Sequence, residues 1–202
     1  MTSLRILVLS DEPCKLLWEY YRPETFKGID LIISCGDLPA DYLTFIATVF
    51  RGPVLYVHGN HDAKYDQKPP EGCICIEDEI FTYKGVRILG LGGSHKYNGT
   101  RWQFTQKEMT KRVRRLWYPL FRNKGFDILV THSPAFGVQD GKDWAHQGFR
   151  VFNELIEKYQ PKLFLYGHVH LNYGDHAREC RIGNTLCVNG FERYVIDYKM
   201  PQ

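Results

Sequence analysis

Five short apolar runs in this chain each stop at a cluster of polar residues. Residues 4–9 end at Ser10-Asp11, Leu31-Ile32-Ile33 at Ser34-Cys35-Gly36-Asp37, and residues 54–57 lead through His58 to Gly59-Asn60-His61-Asp62. Ile128-Leu129-Val130 ends at Thr131-His132-Ser133-Pro134, and residues 163–166 end at Gly167-His168-Val169-His170. Runs this short and this continuously apolar suit strands buried on both faces. Strands of that kind need covering layers, and the intervening segments supply helical spacing.

Pro13 is expected to open a helix carrying Leu16, Leu17, Trp18 and Tyr20, and residues 39–51 a second with Tyr42, Leu43, Phe45 and Ile46 inward. Thr105 and Gln106 begin a long helix to about Arg122, with Met109, Val113, Leu116 and Leu120 facing the core. Its Lys107, Lys111, Arg112, Arg114 and Arg115 read as a solvated face. A further helix runs from about Phe149 to Tyr159. Residues 63–79 look irregular, and residues 80–83 and 86–89 form a hairpin through Lys84-Gly85. The tail reads as antiparallel strands joined at Gly183-Asn184 and Asn189-Gly190. Gly90-Leu91-Gly92-Gly93-Ser94 does not match a dinucleotide fingerprint and is read as close backbone approach beside a site, or as a plain glycine loop.

At 202 residues, 44% hydrophobic and 24% charged, the chain is expected to form one domain, 1–202, with a substantial core. No apolar run reaches the roughly 18 residues of a membrane span, and residues 6–9 are too short for a signal segment. A cytoplasmic protein with neither membrane nor nucleic-acid partner is expected, since a net charge of +3 is only mildly basic. The six cysteines lack CxxC spacing, so reduced thiols are expected rather than a thiolate zinc site.

Strands alternating with helices predict parallel pairing, and such sheets bind ligands beyond the carboxyl ends of their strands. Those ends carry Asp11, Asp37, Asn60 with His61, His132, and His168 with His170. Singly, each His reads as a satisfied turn residue and each Asp as a helix cap. Their coincidence at five strand ends points to one joint site. Carboxylate, amide and imidazole without thiolate favour divalent metals such as manganese, iron or zinc. Two ions sharing a bridging carboxylate, roughly 3.5–4 Å apart, would make hydroxide near neutral pH and clamp a phosphoryl displacement.

The series Asp11, Gly36-Asp37, Gly59-Asn60-His61-Asp62, His132 and Gly167-His168-Val169-His170 resembles the calcineurin-like metallophosphoesterase family over about residues 4–190. The stretch 90–97 and Tyr173-Gly174 are similar to its small bacterial members. The resemblance implies an α/β fold, a four-layer αββα sandwich with two mixed β-sheets and a binuclear metal centre. It implies a phosphodiester or phosphomonoester hydrolysed by a metal-bound hydroxide, with two divalent ions as cofactors. Asp37 would bridge, Asn60, His132 and His168 would complete one metal, and Asp11 and His170 would hold the other. His61 would assist the leaving group, and Asp62 would either orient it or cap the turn.

The family's first motif is Asp-x-His, and here it reads Asp11-Glu12-Pro13, so one metal loses an imidazole. That ion should bind weakly or lean on substrate; Glu12, Cys14 and Cys35 are near in sequence without an assignable position. The loops 95–103 and 137–148 offer Tyr97, Arg101, Trp102, Trp144 and His146. Of these, Arg101 and His146 are the substrate-binding candidates, for a small phosphoester or nucleotide, and the tryptophans could stack on a base. The alternative is that these side chains pack their loops onto the body. His58 and His176 read as structural or exposed. A second reading is a non-catalytic scaffold on the same fold, and a third a nucleic-acid binder through the helix at 107–115.

Overall fold

A computed structural model describes residues 3–172 and 177–199; Tyr173, Gly174 and His176 lie outside them. The elements in chain order are β1 (Ser3–Ser10), β2 (Leu31–Ser34), α1 (Ala40–Val49), β3 (Val54–Tyr56), β4 (Ile74–Cys75), β5 (Ile80–Tyr83), β6 (Val86–Leu91), β7 (Ser94–His95) and β8 (Gln103–Phe104). They continue as α2 (Gln106–Arg115), α3 (Trp117–Arg122), β9 (Ile128–Thr131), α4 (Arg150–Tyr159), β10 (Leu163–Tyr166), β11 (Glu179–Ile182), β12 (Thr185–Asn189) and β13 (Glu192–Lys199).

Among the described residues two large sheets form, ordered β13-β1-β2-β3-β4 and β11-β12-β10-β9-β6-β5. The runs β1-β2-β3 and β6-β9-β10-β12 pair in parallel. Antiparallel β13, β5 and β11 flank them and make both sheets mixed. Alternation along β1 shows the layering. Leu4, Ile6 and Val8 join Ile128, Val130 and Leu165 in a core between the sheets, while Leu7 and Leu9 pack on the opposite face with Tyr42, Leu43 and Ile46 of α1. The outer face of the second sheet likewise buries Leu89, Leu129 and Phe164 against Met109 of α2 and Phe152 and Ile156 of α4. The result is the expected four-layer αββα sandwich. Each central strand has two dry faces, which is why its sequence is apolar without a break.

Several local expectations give way to packing or backbone chemistry. Around Leu16 only a 3-10 turn, Lys15–Leu17, forms, and Leu16 itself is exposed. Residues 63–79, expected to be irregular, contribute the short edge strand β4 beside β3. The long helix begins as expected with a capping box at Thr105 and Glu108, but it breaks at Leu116. Pro119 has no N–H to give the Arg115 carbonyl, and its ring would press on that oxygen. Arg112 is buried rather than solvated, ion-paired with Glu77 and Asp78. Asn189-Gly190 is no hairpin: β12 pairs with β10 and β13 crosses to the other sheet. The Asn189 side chain fixes that crossing, donating to the Val169 carbonyl at 2.7 Å and accepting from Phe191 N–H at 2.9 Å.

Arg87 on β6 grips Asp127, just before β9, through Nε at 2.9 Å, Nη2 at 2.7 Å and its main-chain N–H at 2.8 Å. Burial tends to raise the Asp127 carboxyl, but the Arg87 contacts outweigh it and leave it below the usual range. Such a carboxyl adds stability that is complete above its unfolded pKa of about 3.9 and is lost as pH falls through the folded value. Asp127→Asn is expected to lower the unfolding free energy at pH 7 by on the order of 2 kcal/mol. In urea titrations across pH, its deficit against wild type should shrink below about pH 4.

Candidate metal centre

The carboxyl ends of the parallel strands in both sheets open onto one edge of the sandwich. Chain leaving β1, β2 and β10 turns there in left-handed backbone at Asp11 (φ 65°), Asp37 (φ 57°) and His168 (φ 66°). None of these is glycine, so each turn costs of order 1–3 kcal/mol and persists because its surroundings hold it. Asp11 accepts the His168 N–H at 3.0 and 3.1 Å, tying the two sheets together at the site. Asp62, buried, accepts the N–H groups of Asp37 at 2.8 Å and Gly59 at 2.7 Å. Gly59 and Gly167 must lack side chains here, because a Cβ would overlap the carboxylates of Asp37 and Asp11 respectively.

A cleft of about 350 Å³ is lined by Asp11, Asp37, Asn60, His61, His168 and His170, with Tyr97, Ala145 and His146 on its loop side. Behind Asn60 and Asp37 of this lining stands His132, which is fully buried. The Nδ1 of His132 lies 2.8 Å from the Cys35 carbonyl, which can only accept, so Nδ1 carries the hydrogen. Its Nε2 then faces two oxygens, Asn60 Oδ1 at 3.0 Å and Asp37 Oδ2 at 3.2 Å. The Asn60 amide nitrogen is turned away to Tyr97 Oη at 3.0 Å, which leaves its oxygen toward His132. Three lone pairs thus converge with nothing between them but a proton on Nε2 or a cation.

Electrostatics agree with that reading. Burial alone would raise Asp37, but His132 and the His61 amide hold it down at about 2. Burial lowers His132, yet Asp37 raises it more, to about 9. His168 is pushed down to about 3 by burial and then by His132, so its imidazole is neutral, the form a metal requires. Its Nε2 is committed to the Ala145 carbonyl at 2.8 Å, leaving Nδ1 as the ring's lone pair. Ligating atoms of Asp37, His132 and His168 all lie within 4.8 Å of one another. The donor set fits a borderline divalent ion.

The second half of the site is thinner. Asp11 is raised by burial, and His170 Nε2 stands 3.8 Å from its Oδ1. Pro13 lines a neighbouring cleft of about 690 Å³ that shares Asp11, Asp37 and His61 with the first. Glu12, Cys14 and Cys35 line neither cleft, and Cys35 packs into the core between the sheets. All six cysteines are free thiols.

Other expected residues sort clearly. His61 is exposed where the two clefts meet, its N–H anchored to Asp37 Oδ1 at 2.7 Å. Asp62 takes the capping role of the two expected for it: its Oδ2 accepts the main-chain N–H groups of both Asp37 and Gly59. His146 reaches the cleft, its ring 5.0 Å from that of His168. Arg101 does not, because Asp66 outside the cleft pairs with it. Trp102 stacks on His58 at 3.8 Å, and Trp144 donates to the Lys96 carbonyl, so both brace loops. Sequence reading passed over Glu77, which accepts the His58 N–H at 2.6 Å and the Gly92 N–H at 3.0 Å. Gly93 donates to the His58 carbonyl at 2.7 Å, so the glycine stretch approaches the turn closely, as expected.

The family model described as calcineurin-like phosphoesterase matches residues 5–172. Metallophosphoesterase domain-containing protein 1 of Homo sapiens and that of Mus musculus are each 26% identical over 203 aligned positions, covering 79% of this chain. The match spans 59% of the length of those relatives. The crystal structure of TT1561 of Thermus thermophilus superposes with a TM-score of 0.63 at 17% identity, covering 95% of this chain and 90% of that one. Another solved structure reaches a TM-score of 0.69 at 15% identity, covering 98% and 97% of the two chains. These two likenesses concern the fold.

Asp62→Asn keeps an acceptor for the Gly59 and Asp37 amides, whereas Asp62→Ala strands both. The alanine variant is expected to lose about 1–3 kcal/mol per stranded buried donor, and the asparagine variant much less. Urea unfolding of both variants checks this; equal losses would mean the carboxylate acts through its charge instead.

Proposed function

Because this chain belongs to the calcineurin-like phosphoesterase family, we propose that it is a metal-dependent phosphoesterase acting on a small phosphodiester or nucleotide-like phosphomonoester. The observation that carries this reading is the convergence of His132 Nε2, Asp37 Oδ2 and Asn60 Oδ1 beside a neutral His168. Asp37, Asn60, His132 and His168 would hold one ion, and Asp11 and His170 with the shared Asp37 carboxylate the other. When bound there, divalent ions of the manganese, iron or zinc class supply Lewis acidity to a phosphoryl oxygen and draw a strong nucleophile from water near neutral pH.

His61 performs the proton transfer. Its main chain is anchored to Asp37, and the imidazole it carries is a group able to hand a proton to a departing ester oxygen. The two clefts meeting at His61 leave room for a substituent on either side of phosphorus, which favours a diester. Tyr97 and His146 border the smaller arm and would contact the group lodged there. Six reduced thiols suit a cytoplasmic setting. The second reading, a non-catalytic scaffold, is favoured by Pro13 standing where the family's motif has His.

Hydrolysis of bis-p-nitrophenyl phosphate and p-nitrophenyl phosphate with added manganese tests the proposal. Wild type should turn over the diester. Asp37→Ala should lose metal and turnover together, and His61→Ala should keep metal while losing on the order of 10²–10⁴-fold in kcat. Inertness of wild type toward both esters across manganese, iron and zinc would hand the fold to the scaffold reading. Metal counting by mass spectrometry on dialysed protein is expected to give one ion per chain, and Pro13→His to raise the count; two retained ions in wild type would show that Pro13 weakens nothing.

A further inference from the structure

A one-sidedly basic surface lies on α2 and α3, away from the site. Residues 105–125 hold seven Lys and Arg against one Glu, while the whole chain nets only +3, so the remainder is net acidic. Arg112 turns inward; Lys107, Lys111, Arg114, Arg115, Arg122 and Lys124 are exposed. Between these charges three large aromatics stand out: Trp117 is 69% exposed, Tyr118 54% and Phe121 79%. Trp117 and Phe121 are four residues apart on α3 and share one side of it. Trp117 and Tyr118 meet edge to face at 5.7 Å, so the exposed aromatics form a patch rather than isolated residues, and apolar patches ringed by polar residues mark contact surfaces.

Beside Trp117, between α3 and α4, opens a groove of about 240 Å³. Its floor is Val113, Leu120, Val151 and Leu155, and its rim carries Arg114 and Lys158 opposite Glu154. An apolar slot under a basic rim suits an acyl chain below an anionic headgroup.

The geometry points to this α2–α3 face as a docking surface for an anionic lipid bilayer. Charge complementarity chooses the occupant: basic and aromatic residues are interleaved along 107–124, and Lys and Arg suit headgroup phosphates as Trp, Tyr and Phe suit the acyl boundary. Single-stranded nucleic acid also takes cations and aromatics, but it lies along a groove or sheet that stacks successive bases. Here the aromatics crown a short helix. Docking leaves the candidate metal centre open, because α3 feeds the start of β9 through Gly125, whereas His132 follows its far end. The inference concerns binding and stands whether or not the site proves hydrolytic.

Sedimentation with phosphatidylcholine vesicles, with and without phosphatidylserine, tests it. Wild type should partition onto the anionic vesicles alone, more weakly as salt rises, with a blue shift of tryptophan fluorescence. Trp117→Ser with Phe121→Ser should reduce partitioning roughly tenfold. Lys111→Gln, Arg114→Gln and Arg115→Gln together should reduce it about a hundredfold, at about fivefold each. Tyr20→Ser, on the opposite helical layer, should bind as wild type does, and circular dichroism of all variants should match wild type. No partitioning of wild type, or partitioning indifferent to the α3 serines, overturns the proposal. So does vesicle-independent binding of single-stranded DNA or RNA, or self-association in sedimentation velocity, that the same serines abolish.

Discussion

A polar side chain on a central strand of this fold has nowhere to go. From Ile6 to Ser10, and throughout β2, β3, β9 and β10, every residue is buried. One face meets the other sheet and the other face meets a helix. Chemistry can therefore stand only where the chain leaves the sheet, and parallel pairing puts those exits on one edge. The exits are cramped. Asp11, Asp37 and His168 accept left-handed backbone there, and the strain is offset by hydrogen bonds between neighbouring exits: the Asp11 carboxylate on the His168 amide, the Asp62 carboxylate on the Asp37 amide. The same contacts that relieve the turns aim their side chains at one point.

Behind the turn that carries Asn60 and His61 stands a buried charge chain. Glu77 accepts from the His58 main chain and ring and from Gly92, and Arg112 pairs with it while donating to the Gly92 carbonyl at 2.7 Å. Burial works against the Glu77 charge, but His58 and Arg112 prevail and hold it at about 2. A buried ion pair of this kind is a poor source of net stability, because desolvation cancels most of the attraction. What it supplies is position. It ties α2, the glycine stretch after β6 and the β3 exit to one another, so the turn bearing Asn60 cannot shift without breaking several bonds at once.

Much of this was legible in the sequence because burial leaves a mark on composition. Unbroken apolar runs gave the strands, and the polar clusters after them gave Asp11, Asp37, Asn60, His61, His132, His168 and His170, which the structure gathers around one edge. Arg112 was legible too and was passed over: it lies three residues after Met109 and four before Leu116, on the phase of the buried stripe. Other features depend on distant chain. Asn189-Gly190 has the composition of a hairpin turn, but the sheet pairing of β12 and β13 decides its path. Asp62 beside His61 invites a catalytic role, and only the approach of the Asp37 amide, 25 positions away, shows what its carboxylate serves. Arg101 was drawn off by Asp66, a residue that no motif singles out.

Pro13 gives the proposed centre an asymmetry that follows from donor supply. On the Asp37 side, a carboxylate, an amide oxygen and two imidazoles converge, one imidazole locked in its tautomer by the Cys35 carbonyl and the other by that of Ala145. On the Asp11 side, the carboxylate already accepts a main-chain N–H, and Pro13 contributes only apolar surface to the larger cleft. An ion there would have fewer protein ligands and more room for water or for oxygens of a substrate. Ligand number sets retention, whereas open positions set reactivity. A proline at position 13 would therefore weaken the hold on one ion while leaving untouched His61, the group to which the proposal gives proton transfer.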